Sequence, residues 1–311
     1  MKAVRMHQYG DAKVLSYEDA PKPEIAADEV LIKIVASSVN PVDWKVRAGY
    51  LKDYINYDMP LTPGWDLSGV VEAVGSQVTD FKAGDQVYSR PDINRNGTYA
   101  EYISVKADEV ALKPQTISHT EAATLPLAGI TAWDAIVTHG NLKAGQKVLV
   151  HAGSGGVGSL AIQIAKARGA YVISTTSSKN AALVKSLGAD QVIDYTTTDF
   201  SQVLSDLDMV FDTLGGEVQE SSFSVLKPGG LLASVVSPPS QEKAQEYGVK
   251  AMDYFIEPNA QILEQLAEMV DQGQVRPLVG AEFALSDIEK AHALSESGRT
   301  VGKIALYVGQ P

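Results

Sequence analysis

The segment KVLVHAGSGGVGSLAIQIAKARGA at 147–170 constrains the fold of this chain more than any other stretch. Positions 148–150 form a short apolar run, and apolar residues at 160, 161, 164 and 165 recur at helical spacing. Between the two, Gly153, Gly155 and Gly158 fit G-x-G-x-x-G, in which a strand ends in a tight turn and a helix opens with its backbone amides facing a phosphate. In that pattern Gly153 permits the turn, Gly155 omits a side chain where a pyrophosphate approaches, and Gly158 lets helix and sheet lie close together. The strand YVISTT at 171–176 follows, which completes a βαβ unit, because parallel strands need a crossover helix. Gly153, Ser154, Gly155, Gly156, Val157 and Gly158 are thus candidate dinucleotide contacts. The loop lacks the GK[ST] ending of a nucleoside-triphosphate loop, which argues against phosphoryl transfer.

The unit repeats with variation. NAALVKSLGA at 180–189 reads as a helix, DMVFDTLGG at 208–216 as a strand entering a loop, and LLASVVS at 231–237 as a buried strand opened by the turn PGG at 228–230. NAQILEQLAEMVDQG at 259–273 has helical periodicity, and SDIE at 286–289 predicts a capping box of Ser286 and Glu289 before a further helix. The first 120 or so residues are instead dense in short Val- and Ile-rich runs such as EVLIKIVASSVN at 29–40, and the tail VGKIALYV is strand-like again. With 311 residues, about 150 to a domain, two domains are expected: a β-rich domain over 1–123, a doubly wound α/β domain over 124–267, and a return over 268–311 that completes the first.

Composition narrows the function. A formal charge of -12 disfavours binding to nucleic acid or an anionic membrane through the general surface. The absence of cysteine removes disulfides, thiolate metal sites and cysteine nucleophiles, and the five histidines show no HExxH spacing. No apolar run approaches the length of a membrane helix and no secretory leader is evident, so a cytoplasmic protein is expected.

The residues after the second strand bear on the choice of dinucleotide. An NAD site usually offers a carboxylate to the ribose hydroxyls there. Here Thr175, Ser177, Ser178 and Lys179 supply hydroxyls and a cation, with no carboxylate before Asp190, which suits a 2′-phosphate and favours NADPH over NADH. The same residues also read as a helix cap and a first-turn lysine, and both readings are compatible.

With these segments in view, the chain resembles the medium-chain dehydrogenase/reductase superfamily, in its zinc-free NADPH-dependent quinone oxidoreductase and 2-alkenal reductase branch. The likeness rests on SSVNPVDWKVRAG at 37–49, PLTPGWDLSGVVEAVGSQVTDFKAGDQV at 60–87, GTYAEY at 97–102, LPLAGITAWDAI at 125–136, LVHAGSGGVGSLAIQIAK at 149–166, LGADQVIDY at 187–195 and GRTVGKIAL at 298–306. It implies a Rossmann doubly wound parallel sheet inserted into a GroES-like β-rich catalytic domain, and a homodimer or higher homo-oligomer. Where zinc-dependent relatives carry a metal-binding cysteine and a Gly-His-Glu motif, this sequence has Asn40 and Gly64-Trp65-Asp66, so no metal site is expected.

The resemblance also implies roles. Asn40 corresponds to an asparagine close to nicotinamide and substrate, Thr131 to the nicotinamide end, Tyr195 to the adenosine phosphate, Val235, Val236 and Ser237 to the backbone edge that anchors the carboxamide, and Lys303 to a tail residue near the cofactor. Each has a plain structural competitor: a turn before Pro41, a helix cap, a half-buried strand end, and a solvated edge-strand lysine. Asp43 and Arg47 are expected to pair and brace the substrate loop, Tyr50 to line the pocket and be a candidate proton donor, and His151 to be structural. The function expected is hydride transfer from NADPH to a quinone. The alternatives are reduction of the carbon-carbon double bond of an enone or 2-alkenal, and a non-catalytic dinucleotide-binding protein.

Overall fold

The structure, a computed structural model, describes residues 1–308. Two compact units are present, one formed by residues 1–128, 257–273 and the segment from 277 onward, the other by 129–256 and 274–276.

The first unit starts with an antiparallel pair, β1 (Lys2–Met6) and β2 (Leu15–Asp19). β3 (Glu29–Val39) follows, then helix α1 (Pro41–Arg47), β4 (Leu67–Val74), β5 (Gln86–Ser89), β6 (Tyr102–Lys106), β7 (Val110–Leu112) and the single turn α2 (His119–Ala122). Along β3 most side chains are buried while Lys33 and Val35 face outward, the mark of a central strand that packs on both faces for most of its length. Pro41 occupies the first position of α1, where its missing N–H costs nothing.

Helix α3 (Pro126–Trp133) continues into a π-helical segment, Asp134–His139. In the second unit β8 (Lys147–Val150), α4 (Gly156–Ala167), β9 (Tyr171–Thr176), α5 (Ala181–Ser186), β10 (Gln191–Asp194), β11 (Leu207–Asp212), α6 (Gly216–Ser222), β12 (Leu226–Ser234), α7 (Gln241–Tyr247) and β13 (Lys250–Asp253) follow one another. The six strands are all parallel, in the order β10-β9-β8-β11-β12-β13, so the expected doubly wound sheet is present. Leu149, Ile173, Val210, Phe223 and Leu232 form a core on this sheet. One detail differs from expectation: β12 already starts at Leu226, and PGG at 228–230 lies inside it as an irregularity where the register to β11 shifts.

The chain then returns to the first unit through α8 (Ala260–Asp271), β14 (Val279–Ala284), α9 (Ile288–Glu296) and β15 (Lys303–Tyr307). β15 pairs antiparallel with β3, Ile304 opposite Val39, in a sheet that runs β14-β15-β3-β4-β5-β7, with β6 also on β3. The capping box expected of Ser286 and Glu289 does not form. Ser286 lies in a 3-10 turn, Leu285–Asp287, and Asp287 precedes α9 with its carboxylate bonded to Lys290.

Candidate active site

The sheet register of the first unit converges on one carboxylate. The β3–β4 ladder, with Ser37 opposite Leu67, brings Ser38 to Asp66; the β15–β3 ladder, with Ile304 opposite Val39, brings Lys303 to Asn40. Asp66 is fully buried, and its Oδ2 accepts from Ser38 Oγ at 2.6 Å, Asn40 Nδ2 at 2.7 Å and Lys303 Nζ at 3.2 Å. Its Oδ1 accepts the Leu127 N–H at 2.7 Å, in the first turn of α3, where a negative charge suits the helix dipole. Lys303 also donates to Asn40 Oδ1 and to the Val39 carbonyl. A charge pair this deep holds only with such a complete set of partners. At 7% exposure Lys303 is no solvated edge lysine, and its donors are directed at Asn40, Val39 and Asp66.

A second polar chain supports α1. Asp43 Oδ2 accepts the Asn40 backbone N–H at 2.7 Å and the Tyr99 hydroxyl at 2.6 Å. Burial raises the Asp43 carboxyl to about 7, against the lowering effect of Tyr99 and the Asn40 amide. His292 Nε2 stands 3.3 Å from the Tyr99 oxygen, and its Nδ1 receives Arg47 Nη1 at 3.1 Å, which fixes the proton on Nε2. Burial, with the Arg47 charge adding to it, depresses His292 to about 3. The pairing expected between Asp43 and Arg47 is therefore replaced: Arg47 takes Glu296 at 2.7 Å and His292, and Asp43 takes Tyr99. The replacement follows from α9 packing against α1 and supplying both new partners of Arg47. Tyr50 lies just beyond α1, 67% exposed, its ring edge-on to Trp44 at 6.0 Å.

In the second unit the glycine loop joins β8 to α4, and its three glycines answer to different demands. A Cβ on Gly153 would stand 2.0 Å from Ser174 Oγ, and one on Gly158 2.4 Å from the Ala152 carbonyl, so packing requires glycine at both. At Gly155 a Cβ would meet only the Ala152 carbonyl, at 3.3 Å, so the protein itself scarcely needs glycine there. A bare backbone kept without an internal reason suits a ligand that comes close to it, and no side chain caps α4 at Gly155, which leaves the amide-rich helix start for phosphate oxygens. The left-handed residue of the turn is Ala152, with φ 51°, and not a glycine.

Thr175 is buried beneath this loop, where its hydroxyl receives the Ala152 N–H at 3.2 Å and faces His151 Nδ1 at 3.1 Å. His151 spans to Ser222 Oγ at 3.0 Å, and burial lowers it to about 4, so it is a neutral structural residue. Ser154 accepts from Thr176 Oγ1 at 3.1 Å, a member of the hydroxyl run after the second strand, and from Asn180 Nδ2 at 3.2 Å, a residue the sequence reading passed over. Ser178 and Lys179 are exposed on the turn after β9, and Tyr195, 64% exposed at the end of β10, is not the half-buried strand residue of its structural competitor. Thr131 is buried, its carbonyl accepting the Tyr254 hydroxyl at 2.7 Å.

Val235, Val236 and Ser237 leave β12 at the carboxyl end of the sheet. They are held by Asp212, a buried carboxylate that also escaped notice in sequence: Oδ1 accepts the N–H groups of Leu214 and Gly215, both at 2.9 Å, and Oδ2 accepts from Ser234 Oγ at 2.9 Å and Gln219 Nε2 at 3.0 Å. Ser234 Oγ in turn receives the Val236 N–H at 3.2 Å. Elsewhere in the first unit, a cavity of about 380 Å³ is lined by Arg5, Lys22 and Arg95. These are spent on Glu18, Glu72 and Glu29, so it carries no unpaired cation from that set for an acidic ligand.

Two family profiles match the chain: an alcohol dehydrogenase GroES-like domain over residues 26–115 and a zinc-binding dehydrogenase over 187–306. The tomato (Solanum lycopersicum) 2-methylene-furan-3-one reductase is 38% identical, in an alignment that covers 99% of this chain and 79% of that protein. A quinone oxidoreductase from Coxiella burnetii superposes with a TM-score of 0.93 at 36% identity, covering 99% of each chain. A mycobacterial protein solved in complex with NADPH superposes with a TM-score of 0.89 at 30% identity, covering 99% of this chain and all of that one. The chain belongs to the medium-chain dehydrogenase/reductase superfamily. Its place there is the branch of quinone and alkenal oxidoreductases. Among the described residues no grouping of three or more His, Asp or Glu is arranged to hold a metal ion.

Proposed function

We propose that the protein is a zinc-independent, NADPH-dependent oxidoreductase that delivers hydride to an electron-poor acceptor, a quinone in the first reading. The observation that carries this is the glycine loop, with Gly155 left bare at an uncapped helix start. The similarity to a quinone oxidoreductase and to a protein solved with NADPH supports it. The enone reading is supported by the 38% identity to 2-methylene-furan-3-one reductase. Both acceptors take hydride at an electron-poor carbon and gain negative charge on oxygen, so one site chemistry serves both.

In this reading the amides of Gly156, Val157 and Gly158 bind the pyrophosphate, with Ser154 held in place by Thr176 and Asn180. Ser177, Ser178, Lys179 and Tyr195 take the adenosine phosphate, Thr175 supports the loop from below, and Thr131 with Val235, Val236 and Ser237 holds the carboxamide end. Bound NADPH supplies the hydride. Asn40 orients the acceptor, and Lys303 with Asp66 fixes the Asn40 amide by holding both of its ends. Tyr50 lines the acceptor's approach, and solvent supplies the final proton. We place the protein in the cytoplasm as a homodimer or higher homo-oligomer; among the described residues no helix is long and apolar enough to cross a membrane.

The test is a panel of small quinones, enones and 2-alkenals, followed by NADPH absorbance with NADH as the paired cofactor. Protein-dependent oxidation with quinones alone selects the first reading, and with enones or alkenals alone the second. NADPH binding without turnover on any acceptor would leave a dinucleotide-binding protein only.

A further inference from the structure

Arg90 follows the last residue of β5 and is 1% exposed, yet its Nε and Nη1 have no hydrogen-bond partner. Native proteins seldom leave a buried guanidinium in this condition, because each unpaired donor forfeits its hydration and gains nothing. Burial pushes its pKa down, and the charges of four carboxylates, Glu257, Asp92, Asp66 and Glu109, act against that. Three of them are engaged elsewhere: Asp66 by Ser38, Asn40, Lys303 and Leu127, Glu109 by the Asp92 N–H at 3.1 Å, and Asp92 by the Asn94 N–H at 2.9 Å and side-chain amide at 2.8 Å. Nε and Nη1 of the guanidinium thus remain unspent inside the fold.

Its position is set by the same register that builds the Asn40 cluster. Leu67 pairs with Ser89 in the β4–β5 ladder, so Asp66 and Arg90 follow at the same end of two neighbouring strands. Ser38, Asp66 and Arg90 therefore form one row across β3, β4 and β5, with Lys303 and Asn40 two residues further along β15 and β3. Arginine keeps its proton at any working pH and presents donors in a rigid plane, the chemistry suited to an oxygen that becomes negative during reaction.

We propose that Arg90 is an oxyanion-binding catalytic residue, whose guanidinium donates to the carbonyl oxygen of the acceptor. The assignment rests on the oxidoreductase reading above. For an enone, a new C–H bond forms at the β carbon with the hydride's electron pair. The C=C π pair moves to the α carbon and carbonyl, and the oxygen becomes an enolate against Arg90. The dinucleotide is oxidised by two electrons, and water then protonates the α carbon, leaving hydroxide to the buffer. For a quinone the same oxygen becomes a phenolate and is protonated from water. Arg90 holds its own protons throughout.

The experiment uses the full chain and its R90M, R90Q and R90K variants, with thermal melts to establish that each is folded. The probe is 4-nitrophenol, a planar phenol whose ionised form is visible by absorbance. In the presence of NADP⁺ the wild type is expected to bind the phenolate and make the bound probe ionise at lower pH than the free one. R90M and R90Q abolish that shift and R90K keeps part of it. With but-3-en-2-one or 1,4-benzoquinone, R90M is expected to lower kcat by about a hundredfold with the NADPH Kd unchanged, in line with loss of an oxyanion-hole donor. If R90M does not fold, R90Q carries the comparison. A phenolate shift that is absent from the wild type or survives in R90M and R90Q overturns the assignment. A wild type that shows an Arg90-dependent shift but oxidises NADPH with no acceptor overturns the oxidoreductase reading instead, and leaves the oxyanion site standing.

Discussion

Lys303 and Asn40 stand 263 residues apart, and the ammonium of one donates to the amide oxygen of the other while both lean on the carboxylate of Asp66. Removing the cation leaves Asp66 buried and short of a positive partner. K303M is therefore expected to lose about 3–5 kcal/mol of stability in urea unfolding, the usual cost of breaking a buried pair from one side. D66N combined with K303M should recover part of that loss. Additive losses in the double variant would show that the two groups are not energetically coupled.

The glycine loop separates folding from binding. G158A drives a methyl against the Ala152 carbonyl, where only 2.4 Å is available, and is expected to cost about 1–3 kcal/mol in thermal or urea unfolding. G155A meets that carbonyl at 3.3 Å alone and should cost about 1 kcal/mol or less. NADPH affinity, read by nucleotide fluorescence, should nonetheless fall at least about tenfold in G155A, since the added methyl occupies the approach of the pyrophosphate. An unchanged Kd in G155A would remove the loop from the phosphate site.

Selection between the two dinucleotides is expected at the end of β9 and β10. K179A should weaken NADPH about tenfold, the scale of one charge-assisted phosphate contact, and leave NADH unaffected. Asp194 sits beside Tyr195, with its carboxylate accepting the Thr196 hydroxyl at 2.7 Å and N–H at 2.9 Å; these bonds, the hydroxyl's foremost, hold it below the usual carboxylate range. As a full negative charge next to the proposed phosphate site, it should make D194N bind NADPH more tightly. Equal effects on both cofactors in paired titrations would place the phosphate elsewhere.

Acid sensitivity has an identifiable source. His292 and His151 are held neutral in the folded protein, at about 3 and about 4, against an ordinary value near 6.5. Their stabilising contribution is complete above pH 6.5 and is lost as the pH falls toward those folded values, because the unfolded chain takes up the protons first. Asp43, raised to about 7, acts in the opposite sense: its contribution is full below its ordinary 3.8 and is lost as the pH rises through about 7. The histidines outnumber it, so stability should decline on acidification between pH 6.5 and 4. In H292Q the slope of unfolding free energy against pH should be shallower by one proton, about 1.4 kcal/mol per pH unit, over the same interval. Parallel slopes would show that His292 is charged in the fold.

Much of this architecture was legible because its signals are local. The strand, glycine turn and helix at 147–170 declare themselves within 24 residues, and the periodicity of 259–273 needs no partner to be seen. What escaped notice depends on contacts between distant segments. Asp66 gathers partners from β3, β15 and α3, so nothing beside it in sequence marks it as the centre of a cluster. Asp43 and Arg47 have the i, i+4 spacing of an ion pair, yet Tyr99, His292 and Glu296 supply better partners from elsewhere in the chain. Ser286 and Glu289 likewise match a capping pattern that the 3-10 turn at 285–287 displaces by one residue. Arg90 adjoins a turn in sequence and shows its unusual burial only when the strands are laid side by side.

The pairing of β15 with β3 also has a meaning for biosynthesis. On a ribosome, the six strands of the parallel sheet emerge in full before residue 303 does, and that sheet needs nothing from the tail to complete its ladder. The interior charge of Asp66 has no ammonium to meet until then. Asp66 thus precedes by 237 residues the ammonium that neutralises it, so the acceptor side proposed above can be completed only after residue 303 has been made.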